Sequence, residues 1–126
     1  RQRQMCIRDR CMRLPMRDNK IDMVELDKMV EYAMAHGANY FDTAYMYVDG
    51  KSENAIGEIL KKYPRESFIL TDKCPAYLVN SPSDVRKLCE EQLKKCQVKY
   101  FDNYMVHNST KILLAIIVII ICTMNC

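Results

Sequence analysis

From Asp22 to His107 the apolar residues switch repeatedly between helical and strand spacing, and this alternation limits the possible fold more than any other feature of the chain. Asp22 followed by Glu25 is a capping-box pattern, and Leu26, Met29, Val30 and Ala33 then share one helical face, with Glu25, Asp27, Lys28 and Glu31 on the wet side. Gly37 predicts a left-handed stop. Ala38 to Ala44 predicts a strand with Tyr40 and Asp42 on one face and Asn39 and Phe41 on the other. Ser52 is expected to cap a second helix, with Glu53 at its positive end, a buried stripe of Ala55, Ile56, Ile59, Leu60 and Tyr63, and a stop at Pro64. Ser67 to Lys73 predicts the next strand, with Ile69, Thr71 and Lys73 facing one way. Ser81 caps a third helix with Pro82 at its first position and Val85, Leu88, Cys89, Leu93 and Cys96 facing inward. Tyr100 to His107 predicts a last strand with Asn103, Met105 and His107 on one face.

Helices alternating with strands imply an α/β fold of parallel strands joined by right-handed crossovers. Period alone allows either a doubly wound sheet or a barrel. No glycine-rich phosphate fingerprint follows any strand, which counts against a dinucleotide-binding sheet. At 126 residues, 28% charged and 49% apolar, the chain fits one small globular domain. The net charge is +3, but four arginines lie in the first ten residues, and no basic stripe interleaves with aromatics, so nucleic acid is not an expected partner. Seven cysteines with no C-x-x-C spacing, behind a polar and basic start, point to reduced thiols and a cytoplasmic protein, with neither a disulfide framework nor a metal site. Cys89 and Cys96 share a helical face and read as core.

Both ends differ in character. Residues 1–10 (RQRQMCIRDR) show no period and resemble a translated adaptor, so they are set aside from the fold. Cys11 to Pro15 reads as the remnant of a first strand or its exit loop, and Met16 to Lys20 as polar turn material. After His107 the period is lost. Residues 111–126 carry an uninterrupted apolar run from Ile112 to Cys122, whose helix would span only about 20 Å against a hydrocarbon core of ~30 Å, so a membrane span is not expected. The expected division is a non-native arm at 1–10, a folded unit at 11–110 and a non-native tail at 111–126.

Four residues at or just past predicted strand ends form an acid–base set: Asp42, Tyr47, Lys73 and His107. A tyrosine hydroxyl is ordinarily a poor donor near neutral pH, and a nearby ammonium favours its phenolate. An aspartate holds the lysine, and a histidine can orient a carbonyl oxygen. Together they could protonate that oxygen while a hydride reaches its carbon. Each has a plainer reading: a solvated carboxylate, a loop aromatic, a surface lysine, a strand-end cap. Tyr45 also competes with Tyr47. Their joint placement at three successive strand ends favours the functional reading.

From Cys11 to about His107, the stretches CMRLP, NYFDTAYMYVDGKSE, LTDKCP and YFDNYMVH resemble the aldo-keto reductase superfamily, most closely its bacterial, clostridial-type members. The resemblance implies the N-terminal part of a (β/α)8 TIM barrel, incomplete here, that reduces a small carbonyl substrate with NADPH or NADH and no catalytic metal. It implies Tyr47 as proton donor, Lys73 as its partner, Asp42 paired with Lys73 on the cofactor side, and His107 orienting substrate. The family has a glycine where Arg10 stands, and it continues through four more βα units that cradle the nicotinamide and adenine. Some similar bacterial proteins also carry a C-terminal iron–sulfur module. The expectation is therefore a fragment that is inactive alone and prone to self-association through open sheet edges. A non-catalytic module, as in potassium-channel β subunits, tethered to a membrane by the apolar tail, is the alternative.

Overall fold

The computed structural model describes residues 8–107, with only the backbone described for residues 8–10. Its main sheet has four strands, β1 (Arg8–Arg10), β4 (Tyr40–Asp42), β5 (Ile69–Pro75) and β6 (Asn103–His107), all parallel and neighbouring in chain order. Between β1 and β4 lies a small antiparallel hairpin, β2 (Met16–Arg17) and β3 (Lys20–Ile21). Helices α1 (Met23–Ala35), α2 (Ser52–Leu60) and α3 (Pro82–Cys96) make the crossovers. This order decides between the two α/β architectures. A doubly wound sheet reverses its strand order at a switch point, whereas a barrel adds each strand beside the last. The sheet is an arc of a (β/α)8 barrel that does not close within the described residues.

Several boundaries differ from the sequence expectation. The first strand is Arg8–Arg10, inside the stretch set aside, while Cys11–Pro15 is the exit loop that the sequence offered as one of two readings. A parallel ladder pairs backbone groups, so a strand without apolar residues still forms where a neighbour offers partners. The segment 16–20 is a hairpin whose two turn residues, Asp18 and Asn19, have φ of 50° and 59°, the left-handed values of a two-residue β-hairpin turn. Strand β5 starts at Ile69, after a short 3-10 turn at Arg65–Ser67, and runs on through Cys74 and Pro75. Strands β4 and β6 are shorter than read, and the tail at 111–126 lies outside the described residues.

The core lies between the outer face of the sheet and the helices. Phe41, Leu70, Ile56, Ile59 and Leu60 are 1% exposed or less, joined by Leu26, Val30, Phe68 and Cys96. Each fully buried large apolar side chain contributes roughly 1.5–3 kcal/mol. On α1, Met29 is exposed rather than buried, because Met23 and Met34 take the edge positions against the core. On α3, Leu88 and Leu93 are only half-buried while Gln92 between them is fully buried. Helices α2 and α3 meet backbone to backbone at Gly57, where a Cβ would lie 2.6 Å from the Cys96 carbonyl carbon. The helix caps follow the sequence at both ends of α1 and at the start of α3. Asp22 accepts the Glu25 amide at 3.1 Å, Gly37 has φ of 82°, and Ser81 and Asp84 close a full capping box.

Alternation along the strands divides two chemistries. Phe41, Leu70, Asp72, Cys74, Tyr104 and Val106 lie on the helix side. Tyr40, Thr71 and Asn103 form one hydrogen-bonded layer on the inner face, the Thr71 hydroxyl donating to Tyr40 Oη at 2.8 Å and Asn103 Nδ2 to Thr71 Oγ1 at 3.2 Å. Asp42, Lys73, Met105 and His107 continue that face toward the carboxyl ends of the strands.

Candidate active site

The inner-face parity set by β4 and β5 brings Asp42 and Lys73 together. Lys73 Nζ donates to Asp42 Oδ1 and, at 2.9 Å, to the Thr43 carbonyl. Asp42 is 1% exposed and Lys73 9%, so the pair is buried, and either charge alone would be costly there. The same ammonium lies 4.8 Å from the centroid of the Tyr47 ring. The Tyr47 ring meets the His107 ring edge to face, with centroids 5.9 Å apart at 84°. All four residues picked from sequence thus converge at the carboxyl ends of β4, β5 and β6. The Tyr45 side chain lies away from this set: its ring stacks under Lys95 Nζ at 4.2 Å and its hydroxyl reaches Glu91 at 3.4 Å, toward α3.

Burial pushes the His107 imidazole below its ordinary range. The Lys73 ammonium adds to that push, and Asp42 opposes it. The ring is therefore held neutral, with a hydrogen-bond donor available at neutral pH. Its Nδ1 is buried and has no partner among the described residues.

The loop that delivers Tyr47 is wound tightly. Tyr47 N donates to Ala44 O at 3.1 Å, Lys51 N to Val48 O at 3.0 Å, and Ser52 N to Tyr47 O at 3.2 Å. Val48, Asp49 and Gly50 all take positive φ, of 52°, 53° and 77°. For a β-branched valine that conformation is strained, and strain of this kind concentrates at functional loops.

Ser52 is not the cap of α2. Lys51 occupies that position without a side-chain hydrogen bond, and Ser52 is buried as the first helical residue. Its hydroxyl donates to Cys11 O at 2.9 Å, so the Thr43 hydroxyl, 3.0 Å away, donates to Ser52. Ser52 thereby ties the exit of β1 to the residue whose carbonyl receives Lys73. The sequence reading missed this role, and also that of Thr43, because a serine opening a helix normally signals a cap.

Behind the sheet lies a second polar group of residues. Glu53, Asp72 and Gln92 are fully buried. Gln92 Nε2 donates to Glu53 Oε1 at 2.7 Å and to Lys73 O at 3.1 Å, and Tyr104 Oη donates to Gln92 Oε1 at 2.6 Å. Glu53 Oε2 lies 3.5 Å from Lys95 Nζ, an ion-pair contact at the mouth of the cluster. Burial, and then the charge of Glu53, push the Asp72 carboxyl well above the usual carboxylate range. The sequence did carry a signal for Gln92: it stands in the apolar stripe Val85, Cys89, Cys96 at helical spacing, where a polar residue needs a buried partner. The cysteines read as core are indeed buried, Cys89 at 3% and Cys96 at 1% exposure, and burial pushes the Cys96 thiol far up, away from reactivity.

The comparisons agree with this geometry. The model of the Aldo/keto reductase family matches residues 11–115, most of the chain. A soybean (Glycine max) protein named "Probable aldo-keto reductase 1" is 33% identical over 87 residues, covering 63% of this chain and 25% of the relative. The NADH-specific methylglyoxal reductase of Escherichia coli (strain K12) is 32% identical over 88 residues, covering 56% of this chain and 27% of the relative. Among solved structures, the aldo-keto reductase from Klebsiella pneumoniae in complex with NADPH has a TM-score of 0.69 at 22% identity, over 81% of this chain and 34% of that one. The Bacillus halodurans aldo-keto reductase in its holo form has a TM-score of 0.66 at 25% identity, over 80% of this chain and 35% of that one. The chain spans about a quarter of the curated relatives it matches and about a third of these two solved structures. With the strand order of a barrel arc, a lysine–aspartate–tyrosine–histidine set at its carboxyl end and the match over residues 11–115, this chain belongs to the aldo/keto reductase family.

Proposed function

We propose that this chain carries the acid–base half of an NAD(P)H-dependent reductase of small carbonyl compounds. The observation that carries the reading is the convergence of Lys73 on Asp42 and on the ring of Tyr47, with His107 against that ring. The donor set suits a carbonyl reduced by a nicotinamide: a tyrosine whose ring lies beside one ammonium and one neutral imidazole supplies groups able to meet a carbonyl oxygen as it gains negative charge. A reduced nicotinamide, when bound, supplies the hydride to the carbonyl carbon. The carbonyl π pair moves to oxygen, and Tyr47 delivers its proton there. The Lys73 ammonium stabilises the phenolate left behind. Asp42 holds that ammonium, and we assign it to the cofactor side of the site. His107, protonated at Nε2, donates a hydrogen bond that aligns the carbonyl.

The relatives support either cofactor, one being an NADH-specific reductase and another solved in complex with NADPH. No helix among the described residues is long and apolar enough to cross a membrane, and no group of three metal-ligating side chains occurs among them.

The test grafts residues 11–107 in place of the matching segment of a full-length bacterial relative and follows cofactor oxidation with a panel of small aldehydes and ketones. Turnover with NADPH or NADH is the expected result. A folded graft that binds cofactor and reduces no carbonyl would overturn the reading. The 126-residue chain alone is expected to show no cofactor-dependent reduction.

A further inference from the structure

We propose that Gln92 is a positioning residue for Lys73, acting from the opposite face of the sheet, with Glu53 and Tyr104 fixing its amide and Asp72 completing the grip. This deepens the reductase reading and rests on it for the importance of Lys73, but its geometry stands independently.

The argument begins with strand parity. Thr43 N donates to Thr71 O at 2.9 Å, so the peptide groups of Thr71 point toward β4. Two residues on, the N–H and C=O of Lys73 point the same way. By then β4 has left the ladder, since its last registered pair is Asp42 with Thr71. Lys73 therefore presents two buried backbone groups at a point where the sheet no longer supplies partners, which is costly unless side chains replace them. They are replaced. Asp72 Oδ1 accepts the Lys73 N–H at 2.7 Å, and Gln92 Nε2 donates to the Lys73 C=O at 3.1 Å.

The orientation of the Gln92 amide is fixed by its surroundings. Both of its N–H groups face acceptors, Glu53 Oε1 and Lys73 O, while its oxygen receives the Tyr104 hydroxyl. A flipped amide would set its oxygen against two acceptors, Glu53 Oε1 and Lys73 O. Glu53 is the second residue of α2, just after the loop carrying Tyr47, and Gln92 sits on α3. One amide thus links the helix that follows Tyr47, the strand of Lys73 and, through Tyr104, the strand of His107. On the side that β4 has left, side chains hold the Lys73 backbone, while β6 still pairs with the strand on the other side, and the Lys73 ammonium reaches Asp42, Thr43 O and Tyr47 from that fixed point.

The experiment uses the full 126-residue chain and needs no turnover. The chain has only two histidines, and the other, His36, is exposed, so the His107 ring can be followed by NMR titration. Among the described residues the groups facing His107 are the Lys73 ammonium, Asp42 and the Tyr47 ring; burial first, and then Lys73, holds its midpoint down, and Asp42 opposes them. Lys73→Met, with the backbone amide spectrum of the fold retained, is expected to raise that midpoint by roughly half a pH unit or more. Gln92→Leu, which keeps the volume and removes the hydrogen bonds, is expected to raise it by a large part of the same shift with the backbone amide spectrum otherwise retained. Tyr104→Phe, which removes only the hydroxyl that orients the amide, should move it the same way by less, and it decides the matter if Gln92→Leu fails to fold. A His107 midpoint unchanged in folded Gln92→Leu, or in Tyr104→Phe where Gln92→Leu does not fold, would overturn the proposal. So would a midpoint unmoved by Lys73→Met. Because the readout is a midpoint and not a rate, this result is separate from success or failure of the carbonyl-reduction test.

Discussion

The amino and carboxyl ends of the same sheet are built on opposite terms. At the amino end, Arg65 donates to Phe68 O at 3.0 Å, Tyr100 O at 2.9 Å and Asp102 Oδ2 at 2.7 Å, and its guanidinium stacks on the Tyr100 ring at 3.9 Å. Asp102 also accepts the Leu70 N–H at 2.7 Å. These groups are part-exposed, opposite in charge and engaged mainly with backbone. At the carboxyl end, an aspartate and a lysine are buried under two rings, the loop carries three consecutive positive φ values, and a raised carboxyl lies behind the strand. The first end closes the fold at low cost. The second keeps charge and strain that folding alone does not require, as expected of barrels whose chemistry sits at the carboxyl ends of the strands.

Breaking each end should therefore give unequal losses. Lys73→Met removes the ammonium that pairs with the buried Asp42 and is expected to cost about 3–5 kcal/mol in urea unfolding. Asp102→Ala, which strands the Leu70 amide and takes one of several partners from the part-exposed Arg65, is expected to cost about 1–3 kcal/mol. Equal losses at the two ends would remove the contrast.

A smaller effect sharpens the comparison through pH. Asp72 has its carboxyl pushed above its unfolded value, so the folded state binds the extra proton. Stability from this group is greatest below the unfolded value near 3.8 and falls as pH rises toward the folded one. Asp72→Asn keeps an oxygen for the Lys73 N–H and supplies N–H groups toward Glu53. It is expected to add on the order of 1 kcal/mol at pH 8 and little at pH 4, read from melting at both pH values. The smallest change is Val48→Gly, which relieves a β-branched residue at φ 52°. It is expected to alter stability by less than about 1 kcal/mol, because lost strain is offset by greater freedom in the unfolded chain, while loosening the loop that carries Tyr47.

Much of this was legible in the sequence, for physical reasons that also mark where legibility stopped. The alternation of periods specified parallel strands, and strand parity placed Asp42, Lys73 and His107 on one face, because side-chain direction follows from backbone geometry alone. Strand β1 was not legible, since Arg8–Arg10 is recruited by the backbone of β4 and carries no apolar pattern. Ser52 was misread as a cap because its partner, Cys11 O, lies 41 residues away. Gln92 was hidden for the same reason: its bonds to Glu53 and Lys73 cross between elements, and only its polar intrusion into an apolar stripe hinted at them.

The most direct measurement of the central claim is the kinetics of Tyr47→Phe in the grafted full-length reductase. If Tyr47 is the proton donor held by Lys73, kcat falls by about 100-fold or more while KM and cofactor binding stay close to those of the parent graft. If kcat is retained, the proton comes from elsewhere, and the convergence of Asp42, Tyr47, Lys73 and His107 is architecture without the proposed chemistry.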